Sequence, residues 1–198
     1  MLNYPRFTKK IYRWLYQNII TIILVLTFIL IHAASQNAED VFLYFGATGM
    51  QYLNGEYYRW LTSLFLHYNI GHLLANSAAL LSVGSLITPL LKQRQSFILF
   101  LTGGVLAEIA FSVVVSDQIY DIGASSGIFA LIACFIACCL RFPEDIRPVW
   151  YRPDALIVFV YFFFANTSVS AFLVHTFGFA AGILISFVMI LTGRIKNS

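Results

Sequence analysis

Residues 123–141 read GASSGIFALIACFIACCLR, an apolar run that opens on serines between two glycines and ends on an arginine. A helix of about 20 such residues crosses the ~30 Å hydrocarbon core of a bilayer. Five further runs have similar length and composition. We therefore predict an all-α membrane protein, a bundle of six transmembrane helices over residues 18–34, 70–91, 96–116, 123–141, 154–172 and 174–193.

The composition agrees with a membrane protein. Of 198 residues, 60% are hydrophobic and 11% charged, whereas a soluble domain has about 45–50% and about 25%. Six spans leave no room for a second domain. We expect a basic and aromatic interfacial segment on the cytoplasmic side (1–17), one six-span domain (18–193) and a cytoplasmic tail (194–198).

The basic residues predict the orientation, because short loops rich in Lys and Arg stay on the cytoplasmic side. With the amino terminus inside, only Arg59 of the 12 basic residues lies outside. The inner segments hold the other 11: Arg6, Lys9, Lys10, Arg13, Lys92, Arg94, Arg141, Arg147, Arg152, Arg194 and Lys196. The outer segments carry acidic residues instead: Glu39, Asp40, Glu56, Asp117 and Asp121. We therefore predict that both termini are cytoplasmic, and the net charge of +3 gives no reason to expect a nucleic-acid partner.

The first span is preceded by basic residues and followed by Ala33, Ala34 and Ser35, a pattern that also fits a secretory signal. Its length favours a transmembrane helix instead. The outer loop between the first two spans, residues 35–69, is rich in aromatic residues. We predict a compact interfacial loop with turns at Gly46, Gly49 and Gly55.

Polar side chains inside transmembrane runs are costly and therefore mark candidate functional positions. The runs contain His72, Asn76, Glu108, Asn166 and His175. Spans two, four and six all run from outside to inside in the predicted topology, so their first turns share one depth. The topology alone therefore brings four polar groups to one depth: His72, Asn76, Ser125 and His175. Cys134, Cys138 and Cys139 lie at the other end of the fourth span, and we expect no metal site or disulfide there.

Ser125 lies where a loop gives way to a helix, between Gly123 and Gly127. Glycines allow close backbone approach, and a helix amino terminus favours a developing negative charge. Such a serine is placed for nucleophilic attack if a base is adjacent. A small-residue packing motif of the GxxxG type explains the same residues equally well.

His175 is the candidate base. It shares one helical face with Gly178, Gly182 and Ser186, which can approach a second helix closely. The fourth span offers a matching stripe of small residues, made of Ser126, Ala130, Cys134 and Ala137. Close packing of these two spans would give a Ser-His dyad, although a lone buried histidine is more often structural.

His72 and Asn76 are four residues apart, on one face of the second span. Both can donate hydrogen bonds to an oxyanion. The alternative is that they tie neighbouring helices together. The preceding His67 lies near the interface and is expected to brace the outer loop.

These residues resemble the motifs of the rhomboid family, in its bacterial six-helix form. Gly123-Ala124-Ser125-Ser126 resembles the family's GxSx motif, and His175 with Gly178 and Gly182 resembles its histidine helix. His67, His72 and Asn76 have the spacing HxxxxHxxxN, and Tyr58-Arg59 resembles the family's WR motif, with tyrosine for tryptophan. The four blocks occur in family order over about residues 55–185.

The resemblance implies a serine endopeptidase that cleaves membrane-spanning substrates without a cofactor, in the plasma membrane of a bacterium. Ser125 would be the nucleophile and His175 the general base. His72, Asn76 and the backbone N–H of Ser125 would hold the oxyanion. Phe129 would lie against the histidine, and no acidic third residue is expected. Its partners would be transmembrane protein substrates and the lipid bilayer.

Ser126 departs from the family pattern, which has glycine there, so two adjacent serines compete as nucleophile. We favour Ser125 because Phe129, Ala130 and Leu131 then have the family's offsets. An inactive rhomboid-like protein that binds transmembrane clients is the main alternative, and Glu108 alone suggests a small transporter. A zinc protease is excluded because HExxH is absent, and an aspartyl protease because Asp121 has no GxGD partner.

The second and fifth spans are candidates for a lateral gate. Ala75 and Ala79 are small, whereas aromatic residues crowd the fifth span: Phe159, Tyr161, Phe162, Phe163 and Phe164. Lipid-facing aromatics would explain the same pattern.

Overall fold

The computed structural model describes residues 6–35, 40–115, 119–146 and 152–195. The helices within these ranges are α1 (Arg6–Gln17), α2 (Ile19–Ser35), α3 (Val41–Phe45), α4 (Arg59–Thr62), α5 (Ile70–Ile87), α6 (Gln93–Val114), α7 (Ser125–Arg141), α8 (Pro143–Ile146), α9 (Pro153–Phe164) and α10 (Val169–Leu191). Short 3₁₀ turns cover Met50–Tyr52 and Ser63–Phe65. Glu39, Asp117, Arg147, Lys196 and the ends of the predicted terminal segments lie outside the described residues.

The described part of the chain is all-helical, with one isolated β-bridge between Ala47 and Asp121. Three of its helices, α5, α6 and α10, are long and apolar enough to cross a membrane. α1 and α2 would make a fourth span if counted together, although they meet at a bend of 71°. α7 and α9 are shorter apolar helices. The six-span count and the orientation of the termini stay predictions.

The helix boundaries agree with the predicted spans to within four residues for the first four. The boundary between the last two spans was predicted wrongly. The fifth helix ends at Phe164 and the last begins at Val169, because the Ser168 hydroxyl accepts a hydrogen bond from the backbone N–H of Ala171 (3.1 Å) and caps a new helix. Asn166, predicted inside the fifth span, therefore lies in a loop between α9 and α10.

α7 is the central helix, packed against α5, α6 and α10, and its residues from Ser125 to Phe135 are all buried. Glycines on α10 allow this arrangement. A Cβ atom on Gly178 would lie 2.3 Å from the carbonyl oxygen of Ser126, and one on Gly182 would lie 2.4 Å from that of Ala130. The predicted close packing of the fourth and sixth apolar runs is confirmed.

The segment between α2 and α5, called the outer segment after its predicted location, is compact over its described residues 40–69, as predicted. Arg59 is buried, where its guanidinium pairs with Glu56 and donates to the carbonyl of Leu43. The Trp60 indole N–H donates to the Ser112 hydroxyl (2.9 Å) and so fastens the segment to α6. Gly55 has φ +82°, a left-handed conformation that favours glycine at this turn.

α1 is attached to the opposite end of the bundle. Its Trp14 indole N–H donates to the Ser85 hydroxyl of α5 (3.1 Å), and Arg152, which precedes α9, also bonds Ser85. Large apolar and aromatic side chains of α1, such as Tyr12, Leu15 and Tyr16, stay exposed. This exposure suits a helix that lies in a membrane interface.

Candidate active site

A cleft of about 1030 Å³ opens between α5 and α9. Four predicted site residues line it: His72, Asn76, Ser125 and His175. Ser125 is 6% exposed and His175 is 4% exposed, so both are accessible chiefly from the cleft. The fold therefore brings the proposed nucleophile, base and oxyanion donors into one cavity.

Ser125 is the first residue of α7, and the chain reaches it through a restricted turn. Gly123 has φ +136°, and a Cβ atom there would lie 2.7 Å from Cε1 of His72 and 3.3 Å from Nδ2 of Asn76. Its N–H donates to the carbonyl of Ser63 (2.9 Å). Glycine is needed at this position for its backbone angle and for the approach of both α5 side chains.

The amino terminus of α7 can stabilise negative charge. The first N–H groups of a helix have no partner within it, and Ala124, the residue before α7, provides no side-chain cap. These N–H groups and the positive end of the helix dipole are therefore available beside Ser125.

Asn76 provides a second donor. Its Nδ2 is buried and has no hydrogen-bond partner among the described residues, while its Oδ1 accepts a hydrogen bond from the Tyr161 hydroxyl of α9. A buried donor without a partner is costly in a resting fold. The tyrosine orients the amide so that this donor stays free.

His175 is held on two sides. Its ring stacks on Phe129, with centroids 4.2 Å apart and planes 6° from parallel, which confirms the expected contact. Its Nδ1 lies 2.8 Å from Oδ1 of Asn166. Because an amide oxygen only accepts hydrogen bonds, Nδ1 donates and Nε2 is left as the basic nitrogen.

The sequence marks Asn166 as a candidate functional position, but it does not predict the contact with His175. The sequence places an amide in an apolar stretch, nine residues before the histidine, but gives no reason to join the two. The group that holds Nδ1 of His175 is a neutral amide, and the absence of an acidic third residue stays a prediction.

Ser126 faces away from the cleft. It is fully buried, it does not line the cleft, and its backbone carbonyl packs against Gly178. Its hydroxyl has no hydrogen-bond partner among the described residues. Glu108 on α6 is also fully buried, and its carboxyl oxygens have no hydrogen-bond partner among the described residues. In the loop before α7, burial holds the pKa of Asp121 above its usual range. The two adjacent serines therefore have different environments, and Ser125 is the one that lines the cleft.

His67 connects the outer segment to α2. Its carbonyl oxygen accepts from Nδ1 of His32 (3.2 Å), and its ring packs against Phe28 and His72 at centroid distances of 5.1 and 5.2 Å. Burial, together with the nearby His72, lowers the pKa of His67 to about 3. The ring is therefore neutral at physiological pH, and its position agrees with a bracing role.

The fold and this cavity indicate a multi-pass membrane protein, with a buried serine and histidine in a cleft between apolar helices. Residues 54–192 match the Rhomboid domain, and the chain belongs to the rhomboid family. It is also 27% identical over 139 residues to "Putative rhomboid protease YdcA" of Bacillus subtilis (strain 168), an alignment that covers 69% of each chain.

Proposed function

We propose that this chain is an intramembrane serine endopeptidase that hydrolyses peptide bonds in or near transmembrane segments of other proteins. One observation carries the proposal: a single cleft joins Ser125, a histidine with its Nε2 free, and an unpaired buried donor on Asn76. Family membership supports the same chemistry. The natural setting would be a bacterial plasma membrane, with six spans and cytoplasmic termini.

In the proposed reaction, the Ser125 hydroxyl attacks the carbonyl carbon of the scissile bond while His175 Nε2 takes its proton. Nδ2 of Asn76, His72 and the Ser125 backbone N–H stabilise the resulting oxyanion. Collapse of this intermediate breaks the C–N bond, and His175 returns the proton to the leaving amine. Water then hydrolyses the acyl-enzyme with the same base.

The decisive experiment uses detergent-purified protein and a transmembrane model substrate. We expect cleavage by the wild type, none detectable with Ser125→Ala or His175→Ala, and retained cleavage with Ser126→Ala. Cleavage by Ser125→Ala together with its loss in Ser126→Ala would reverse the nucleophile assignment. A folded wild type that binds the substrate and never cuts it would favour an inactive client-binding protein.

A further inference from the structure

α9 and the loop that follows it contribute a hydrogen bond to each half of the candidate site. Within the helix, the Tyr161 hydroxyl donates to Oδ1 of Asn76. Two residues beyond its end, Oδ1 of Asn166 accepts from Nδ1 of His175. One short segment, residues 153–166, therefore contacts both the proposed oxyanion donor and the proposed base, although it carries neither.

Each bond selects one state of its partner. The Asn166 bond places the proton of His175 on Nδ1, so that Nε2 is basic, and it fixes the ring plane together with Phe129. The Tyr161 bond occupies Oδ1 of Asn76, so that its Nδ2 remains a donor. Without these bonds the imidazole can change tautomer and the amide can rotate, and the site loses its preorganised geometry.

α9 is also weakly embedded in the fold. It has only 12 residues, and Val158 is its one buried residue, whereas α7 is buried over most of its length. Helices with few buried contacts are displaced at low free-energy cost. Its first residues remain attached near the other end of the bundle, where Arg152 bonds both Asp154 and Ser85. Motion of the Tyr161 end is therefore the less restrained motion.

We propose that Tyr161 and Asn166 are positioning residues through which α9 assembles the active site when it lies against α5. Displacement of α9 breaks the Tyr161 bond and pulls on the loop that carries Asn166, so a helix displaced to admit a substrate must return before the site is competent. The inference rests on the proposed protease function, which it extends from the dyad to a neutral third group and to a specific helix.

The test measures kcat and KM for cleavage of the transmembrane model substrate. Asn166→Ala is expected to lower kcat by about 10²-fold with KM within about twofold, because misplacing a reacting group costs about that much. Tyr161→Phe is expected to lower kcat about tenfold, less than the ~10²–10³ for loss of an oxyanion donor. Tyr52→Phe, which removes a hydroxyl from the outer segment away from the cleft, is the matched control and should match the wild type.

The pH profile separates positioning from a merely structural role. Asn166→Asp keeps the acceptor and adds a negative charge that stabilises the imidazolium, so the acid limb of kcat/KM should move to higher pH while most of kcat is retained. The titratable groups that line the cleft with His175 include His72 of α5, Tyr161 of α9 and Asp121 of the loop before α7, and all are present in both proteins compared. Because Asn166→Asp is isosteric, this shift decides the question if Asn166→Ala fails to fold.

The inference is overturned if folded Asn166→Ala has wild-type kcat, or if Asn166→Asp leaves the acid limb unmoved. Failure of the proposed function looks different. In that case the wild type neither cleaves the substrate nor reacts with a serine-directed fluorophosphonate. Wild-type cleavage with unaffected Asn166 and Tyr161 variants would leave the protease intact and remove only the role of α9.

Discussion

Gly123 is required both for the backbone conformation before Ser125 and for the space beside His72. Its φ of +136° and the closeness of His72 leave no room for a side chain. Gly55 has φ +82° but would place a Cβ atom in open space. Substitution of either glycine causes backbone strain, but only substitution of Gly123 also crowds His72. Comparing the two positions therefore distinguishes these effects.

We predict that Gly123→Ala lowers kcat at least tenfold, because the new methyl group displaces His72 and the turn that leads to Ser125. Gly55→Ala should cost about 1–2 kcal/mol of stability from strain alone and leave kcat near the wild-type value. Cleavage assays and thermal unfolding in detergent measure both effects. Equal loss of kcat in the two variants would show that strain, and not the contact with His72, is responsible.

The second prediction concerns the pH dependence that His67 confers. An unfolded histidine has a pKa near 6.5, but the folded ring stays neutral down to about pH 3. The unfolded state therefore binds the extra proton between these values, and the stability contributed above pH 6.5 is lost as pH falls through this window.

The free energy of unfolding of the wild type should accordingly fall below pH 6.5, by up to about 1.4 kcal/mol per pH unit from this residue. Thermal unfolding at several pH values measures this decrease. His67→Gln lacks the titrating group and should show a flatter dependence. The comparison isolates His67, because His32, His72 and His175 are present in both proteins. An equally steep decline in His67→Gln would place the effect elsewhere.

The two helices around the cleft, α5 and α9, are packed differently from α7 and α10. α7 and α10 pack backbone to backbone through Gly178 and Gly182 and form a fixed platform for Ser125 and His175. α5 and α9 instead enclose the cleft between them. This arrangement supports the hypothesis that a transmembrane substrate enters between α5 and α9.

We predict that tethering these two helices blocks cleavage of a transmembrane substrate. Cysteines would replace Ala78 and Ile157, which both line the cleft, in a protein with Cys134, Cys138 and Cys139 changed to alanine. A bifunctional thiol reagent should then stop cleavage, while a small fluorophosphonate still labels Ser125. The two single-cysteine variants treated with the same reagent are the controls, and undiminished cleavage by the tethered protein would exclude the gate.

For the molecule as a whole, the charge distribution predicts which end of the bundle faces the cytoplasm. We expect a membrane-impermeant thiol reagent, applied to intact cells, to label Asn54→Cys in the outer segment. Arg141→Cys, exposed at the end of α7, should react only after permeabilisation. Both variants would be built in the same cysteine-free protein, and the opposite pattern would invert the proposed orientation.

Much of the architecture follows from local patterns. Run length and composition predict the apolar helices, because a hydrocarbon layer admits few alternatives to helical backbone. The glycine spacing of the last helix predicts its contact with α7, because only small residues allow such an approach. Depth along alternating spans predicts that His72, Asn76, Ser125 and His175 lie together, which the cleft confirms.

Only the tertiary structure shows that Ser125 and not Ser126 lines the cleft, that the helix breaks before Val169, and that Asn166 and Tyr161 hold His175 and Asn76. Adjacent serines have the same local pattern, and they differ only in the helix that each side chain meets. The hydrogen bonds of Tyr161 and Asn166 depend on the angle and depth at which α9 packs against the rest of the bundle. Periodicity in a sequence describes which face a residue occupies, whereas a hydrogen bond of 2.8 Å depends on where neighbouring elements place that face.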